Sequence, residues 1–234
     1  MILYQLKDGY HYNSDSLILY DFVSSFLDPN YKGSVLDVGC GCGVVGLLLK
    51  RDFNKIDLSL LDIQHINIML CKKNLTKNNL SANLIECDFL KIKTDEKFDL
   101  IVSNPPYYRD GVVKSANTHL AISRYADEFS LKAFLSTANK ILKPRAEIIF
   151  CYESLQLQVI MQILSEFKFT CCNVCFVHPR KEKKSNLVLI RAKKSSRSTC
   201  DVMTPLILQD GDKNSLRADE IYKKADTKSL MCQF

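Results

Sequence analysis

No apolar run in this 234-residue chain approaches the roughly 18–20 residues that a membrane span requires. The opening Met1-Ile-Leu-Tyr-Gln-Leu-Lys-Asp8 passes straight into polar residues and lacks a signal-peptide pattern. The expected location is therefore cytoplasmic, with no membrane partner. Also missing are paired C-x-x-C units with histidines at matching spacing, so the ten cysteines read neither as a metal site nor as a disulfide framework. They are expected to be reduced thiols that pack as small apolar residues, and no metal is expected. No internal repeat is present. What is present, 47% hydrophobic and 25% charged residues, suits one α/β domain with a full core. The net charge of +6 is compatible with a polyanionic partner without demonstrating one. Its distribution says more, because Arg180, Lys181, Lys183, Lys184, Arg191, Lys193 and Lys194 fall in one short stretch. Taken alone, that stretch reads equally well as a solvated lysine-rich loop.

Residues 17–27 carry apolar side chains at helical spacing, and Asp28-Pro29-Asn30 stops that helix because proline removes a donor and restricts its neighbour. Strands are expected over 34–38, 58–61, 83–86, 98–103 and 147–151, and helices over 44–51, 63–79, 131–142 and 155–167. Residues 170–177 and 187–191 read as an antiparallel edge pair. The polar stretch from Arg109 to Asp127 has no periodicity and reads as a long loop; loops of that length in compact domains are usually lids or binding elements. The predicted fold is α/β, a doubly wound, mostly parallel seven-stranded sheet with an antiparallel edge hairpin. One domain is expected over residues 1–194, with 1–33 flanking the site. Residues 195–234 read as a tail, irregular over 195–212 apart from the apolar patch Pro205-Leu-Ile-Leu208, with a short helix over 216–225. Sheets of this kind bind ligands outside the carboxyl ends of their strands, and every motif below lies at such an end.

Asp37-Val-Gly-Cys-Gly-Cys-Gly43 follows a strand and opens a helix. Its glycines let the backbone turn sharply and approach a ligand closely. The literal G-x-G-x-x-G pattern also occurs, over Gly41–Gly46, with Asp62 about 20 residues on, so a nicotinamide or flavin enzyme is a rival at this point. Two features favour S-adenosylmethionine. The placing of Asp37, Gly39, Gly41 and Gly43 resembles the D-x-G-x-G-x-G signature of Rossmann-like class I methyltransferases, where the acid helps organise the methionine end. Asp88 and Phe89 follow the third strand, where that resemblance implies an acceptor for the adenine amino group and an apolar neighbour beside the ring. Asp62 would then accept both ribose hydroxyls, a bidentate task suited to a carboxylate, with Ile63 beside it in the cofactor-binding set. The plain alternative for Asp62 is a helix N-cap.

Asn104-Pro105-Pro106-Tyr107 directly after a strand is the most specific signal. An amide followed by two prolines is a rigid corner, because both proline φ angles are fixed. An exocyclic amino nitrogen is a poor nucleophile, since its lone pair is delocalised. The Asn104 side-chain oxygen and the Pro105 carbonyl can hold its two N–H groups and turn the lone pair toward a sulfonium methyl, while Tyr107 stacks on the planar group. The motif is shared by methyltransferases of adenine N6, of guanine N2 and of the glutamine amide of release factors. A base in folded RNA would have to be unstacked and turned out to reach such a corner.

Further segments narrow the substrate. Gly9-Tyr-His-Tyr-Asn-Ser-Asp-Ser-Leu17, Ile122–Leu131, His178–Leu189, Pro205–Asp210 and Ala218-Asp-Glu-Ile-Tyr222 resemble the bacterial family that methylates N6 of adenine 37 in valine tRNA. The resemblance spans nearly the whole chain and implies a tRNA partner, with Tyr12 bordering the cofactor or base site and Arg180, Lys181, Lys183 and Lys184 contacting phosphates. Tyr125-Ala-Asp127 and Pro144-Arg-Ala146 depart from that family's usual Arg-His and Pro-Gly-Gly. A protein glutamine methyltransferase is the runner-up, disfavoured because only 33 residues precede the glycine strand. A catalytically silent RNA-binding module is the non-enzymatic alternative.

Overall fold

The computed structural model describes residues 1–9, 11–105 and 130–233. Strand β1 (Ile2–Leu6) leads into α1 (Ser14–Ser24), which Asn13 caps by accepting the Asp15 N–H. Then come β2 (Ser34–Val38), α2 (Val44–Asp52), β3 (Asp57–Asp62), α3 (His65–Lys77), β4 (Asn83–Glu86), a single 3₁₀ turn (Phe89–Lys91) and β5 (Phe98–Ser103). Helix α4 (Leu131–Ile141) starts at a Ser130 cap and runs into β6 (Leu142–Glu153), followed by α5 (Leu157–Glu166), β7 (Phe169–Arg180) and β8 (Leu187–Lys194). The chain closes with β9 (Asp201–Val202), β10 (Leu206–Asp210), β11 (Lys213–Asn214), α6 (Leu216–Ala225) and β12 (Lys228–Cys232).

The expected seven strands form the centre of the sheet in the order β7-β8-β6-β5-β2-β3-β4, parallel except for β8. Strands β2, β3 and β5 are short apolar runs because both faces of a parallel sheet are covered. Along β5, Leu100 and Val102 enter the core under α1, α2 and α3, while Phe98 and Ile101 enter the core under α4 and α5.

Three features differ from the sequence reading. Residues 195–212 are not wholly irregular: β10 pairs in parallel with β7, β11 pairs with β10, and β9 also pairs with β7, so among the described residues the sheet has ten strands. The β7–β8 hairpin is accordingly not at an edge. Strand β6 starts at Leu142 and passes through Pro144, with Arg145 in the left-handed region at φ +63°.

The amino-terminal segment carries the third difference. Strand β1 pairs in parallel with β12, from Ile2 opposite Lys228 to Leu6 opposite Cys232. Its other edge is satisfied by a helix. Asn74 Oδ1 accepts the Tyr4 N–H (2.6 Å) and Asn78 Oδ1 the Ile2 N–H (3.1 Å), while their amide nitrogens donate to the Tyr4 and Ile2 carbonyls. Asn74 is fully buried and also donates to the Cys42 carbonyl at 2.9 Å, tying both termini to the glycine turn. Helix α6 is held on α1 through buried Asp21, which accepts from Arg217 and Lys224. None of the ten cysteines is in a disulfide, and seven are buried. Among the described residues no helix is long and apolar enough to cross a membrane.

Candidate active site

The carboxyl ends of β2, β3, β4 and β5 converge on one edge. Val38 is in register with Leu61 and with Ser103, so the glycine turn, Asp62 and Asn104 emerge from three adjacent strands. Two bonds fasten them further: the Ser103 hydroxyl donates to the Val38 carbonyl (2.8 Å, buried), and the Gly39 N–H donates to the Leu61 carbonyl (2.9 Å).

Gly39, Gly41 and Gly43 have φ of +67°, +56° and +84°, where a Cβ is strained. A Cβ built on Gly39 or Gly41 would meet nothing within 4 Å, so the outer side of this turn is open to a ligand. Gly46 is constrained differently: a Cβ there would lie 2.5 Å from Leu60 and 3.0 Å from Asp37. It is a packing glycine.

Asp37 is 2% exposed and accepts the Gly46 N–H at 2.8 Å, bracing the first turn of α2 against β2. Burial pushes its carboxyl up to about 7, the Gly46 bond opposes that shift, and the neighbouring charge of Asp62 adds to it. The native state therefore holds a proton that the unfolded chain releases near the usual aspartate value. This contribution to stability is complete below about pH 4 and is lost as pH rises through about 7. Urea denaturation of wild type and Asp37→Asn should show the stability difference moving in favour of the variant by about 3 kcal/mol between pH 5 and pH 8. A difference independent of pH would contradict this.

Asp62 is 5% exposed, and its two oxygens accept the Gly41 N–H and the Gln64 N–H, each at 2.9 Å. It is not the helix N-cap: Gln64 holds that position for α3 without a side-chain cap bond, and the Asp62 carboxylate instead ties the residue before the helix to the glycine turn. Ile63, next in the chain, is 55% exposed, an open apolar surface at this edge. The Cys87 N–H donates to the Asp62 carbonyl at 3.2 Å, which sets Asp88 close by. Asp88 caps the 3₁₀ turn through the Leu90 N–H (3.0 Å) and pairs with Lys91 (3.3 Å). Phe89 is 4% exposed and packs against Phe134 at 5.4 Å in the core under α4. Ile63 is the exposed apolar side chain here.

At the end of β5, Asn104 donates to Ser16 Oγ (3.2 Å) and accepts from Cys151 Sγ (3.1 Å). Pro105 is buried. Pro106, Tyr107, the Arg109–Asp127 stretch and residues 122–129 lie outside the described residues. Tyr12, at the start of the segment that leads into α1, bonds Thr227 (3.1 Å) and Ser229 (3.0 Å) beside β12. The turn after β7 lies at the same sheet edge as Asn104, because β7 is antiparallel to β8 and β8 to β6. Lys181, Lys183 and Lys184 are exposed there, while Arg180 bonds Gln209 and Asp212. Sequence reasoning gave no role to Ser16 or Cys151. The only available signal was Ser16's place in the Gly9–Leu17 segment.

The "Methyltransferase small domain" model matches residues 20–171, which include the glycine turn, Asp62, Asp88 and Asn104. A ribosomal RNA small subunit methyltransferase C of Actinobacillus pleuropneumoniae is 42% identical over 81 residues, 35% of this chain and 24% of that protein. The chain therefore spans about a quarter of the length of that relative. The tRNA1(Val) (adenine(37)-N6)-methyltransferase of Vibrio vulnificus is 22% identical over 207 residues, 88% of this chain and 84% of that protein. Among solved structures, a T. thermophilus 16S rRNA N2 methyltransferase in complex with AdoMet and guanosine superposes with a TM-score of 0.57 at 20% identity, over 81% of this chain and 45% of that one. With the match to residues 20–171 covering more than half of its length, the chain belongs to the methyltransferase small domain family.

Proposed function

We propose that this protein is an S-adenosylmethionine-dependent N-methyltransferase of RNA, acting on N6 of an anticodon-loop adenine, adenine 37 of valine tRNA. The observation that carries the reading is the adjacency of the open glycine turn and Asn104 on paired strands β2 and β5. An acceptor for an amino group and a turn shaped for a close ligand thus share one edge.

The residues present fit the cofactor. The turn over Gly39–Gly43 leaves its outer side open, Asp62 offers a carboxylate with about four acceptor sites, and Ile63 offers exposed apolar surface for a flat ring. When bound, S-adenosylmethionine supplies an electrophilic methyl group on a sulfonium. The chain orients the other reactant. Asn104 Oδ1 and the Pro105 carbonyl accept the two amino hydrogens and turn the nitrogen lone pair out of conjugation. No strong general base is required, because the nitrogen's proton becomes acidic as the new N–C bond forms. Asp88 takes the adenine amino group of the cofactor, and Tyr107 stacks on the target base. Lys181, Lys183 and Lys184 supply phosphate contacts at the same edge.

The tRNA assignment is supported by the relative that matches along most of both chains, as against the ribosomal relative that matches over a quarter of its own length. The test is methyl transfer from labelled S-adenosylmethionine to two unmodified transcripts, valine tRNA and 16S rRNA, followed by nucleoside mass spectrometry. N6-methyladenosine in the tRNA is expected. N2-methylguanosine in the rRNA would move the substrate to the ribosome, and label on a release-factor glutamine alone would remove RNA from the account.

A further inference from the structure

Asn104 is gripped by two elements distant in sequence. Its Nδ2 donates to the hydroxyl of Ser16 on α1, and its Oδ1 accepts from the thiol of Cys151 on β6. Ser16 is 5% exposed and Cys151 is fully buried, so water competes little with either contact. A side-chain amide turns easily about its last bond, with broad minima. Partners on both its nitrogen and its oxygen fix the plane of the group.

We propose that Ser16 and Cys151 are positioning residues that hold the Asn104 amide plane in the orientation the amino group needs. This rests on the reading of Asn104 as the acceptor for that group. It gives the α1 end of the amino-terminal segment a part in the reaction, and it gives a task to one buried cysteine. The orientation is felt in the transition state, where a small misplacement of a reacting group is costly.

The test is a double-mutant cycle on methyl transfer to the valine tRNA transcript under single-turnover conditions, with thermal melts and calorimetric titration of S-adenosylmethionine. Ser16→Ala and Cys151→Ala should each lower the rate roughly 10-fold or more at unchanged cofactor affinity and near-unchanged KM for RNA. Cys151→Ser, which restores a donor, should recover much of the loss. In the Asn104→Ala background neither change should lower the residual rate further, since the group they orient is gone. Equal proportional losses in both backgrounds, or full activity in Ser16→Ala, would overturn the proposal. If Cys151→Ala does not fold, the near-isosteric Ser16→Ala still decides. Should Asn104→Ala itself turn over normally, the underlying reading fails first, and that outcome is separate from neutral Ser16 and Cys151 variants beside an inactive Asn104→Ala.

Discussion

Asn104→Ala should lower the methyl-transfer rate roughly 10²–10³-fold while the affinity for S-adenosylmethionine stays near that of wild type. The asymmetry follows from where the side chain sits. Its backbone directly follows β5, whose last residue Ser103 is held in register with Val38, so truncation leaves the end of the strand in place. The lost oxygen is an acceptor for an amino group whose hydrogens grow more positive as the N–C bond forms, so it matters more in the transition state than in the ground state. Rapid-quench measurement of label transfer, paired with calorimetry, reads both quantities. Joint loss of turnover and cofactor affinity would make Asn104 a structural residue of the edge.

Asp62→Ala should do the opposite, weakening cofactor binding and loosening the fold at once. Two charge-assisted bonds to ribose hydroxyls at roughly 1.5–3 kcal/mol each correspond to an affinity loss on the order of 10²-fold or more. The same truncation strands the Gly41 and Gln64 N–H groups that the carboxylate now satisfies. Each unsatisfied donor costs about 1–3 kcal/mol where it is buried, so losing the partner of both should lower the melting temperature by roughly 4–24 °C. Asp62→Asn should be intermediate, because an amide supplies one acceptor oxygen and turns an NH2 group toward the other N–H. Retained affinity in Asp62→Ala, with only the melt lowered, would leave Asp62 as a brace of the glycine turn alone.

Elements that depend on local pattern were legible in the sequence. Strands β2, β4 and β5 lie over the residues their apolar runs mark, and the turn from β2 to α2 follows from glycines that alone tolerate its φ angles. What depends on distant partners was not legible. Strand β1 is short and flanked by polar residues; it exists because β12 lies along one edge and Asn74 and Asn78 replace a strand on the other. The patch Leu206-Ile-Leu208 is visible as apolar, but its identity as β10 requires the open edge of β7. Phe89 packs on Phe134, 45 residues on, a contact its own segment does not mark. Tyr12 likewise has two partners near the far terminus. At the site, the acids and glycines carried a pattern, while Ser16 and Cys151 meet Asn104 through long-range bonds that leave no mark in their own segments.

The central claim is that one sheet edge holds the methyl donor and the amino acceptor side by side. A crystal structure with S-adenosylhomocysteine tests it most directly. The account predicts the ligand over the Gly39–Gly43 turn, its ribose on Asp62, its adenine against Ile63 and its sulfur facing Asn104. A ligand seated elsewhere, or one whose sulfur points away from Asn104, would contradict it.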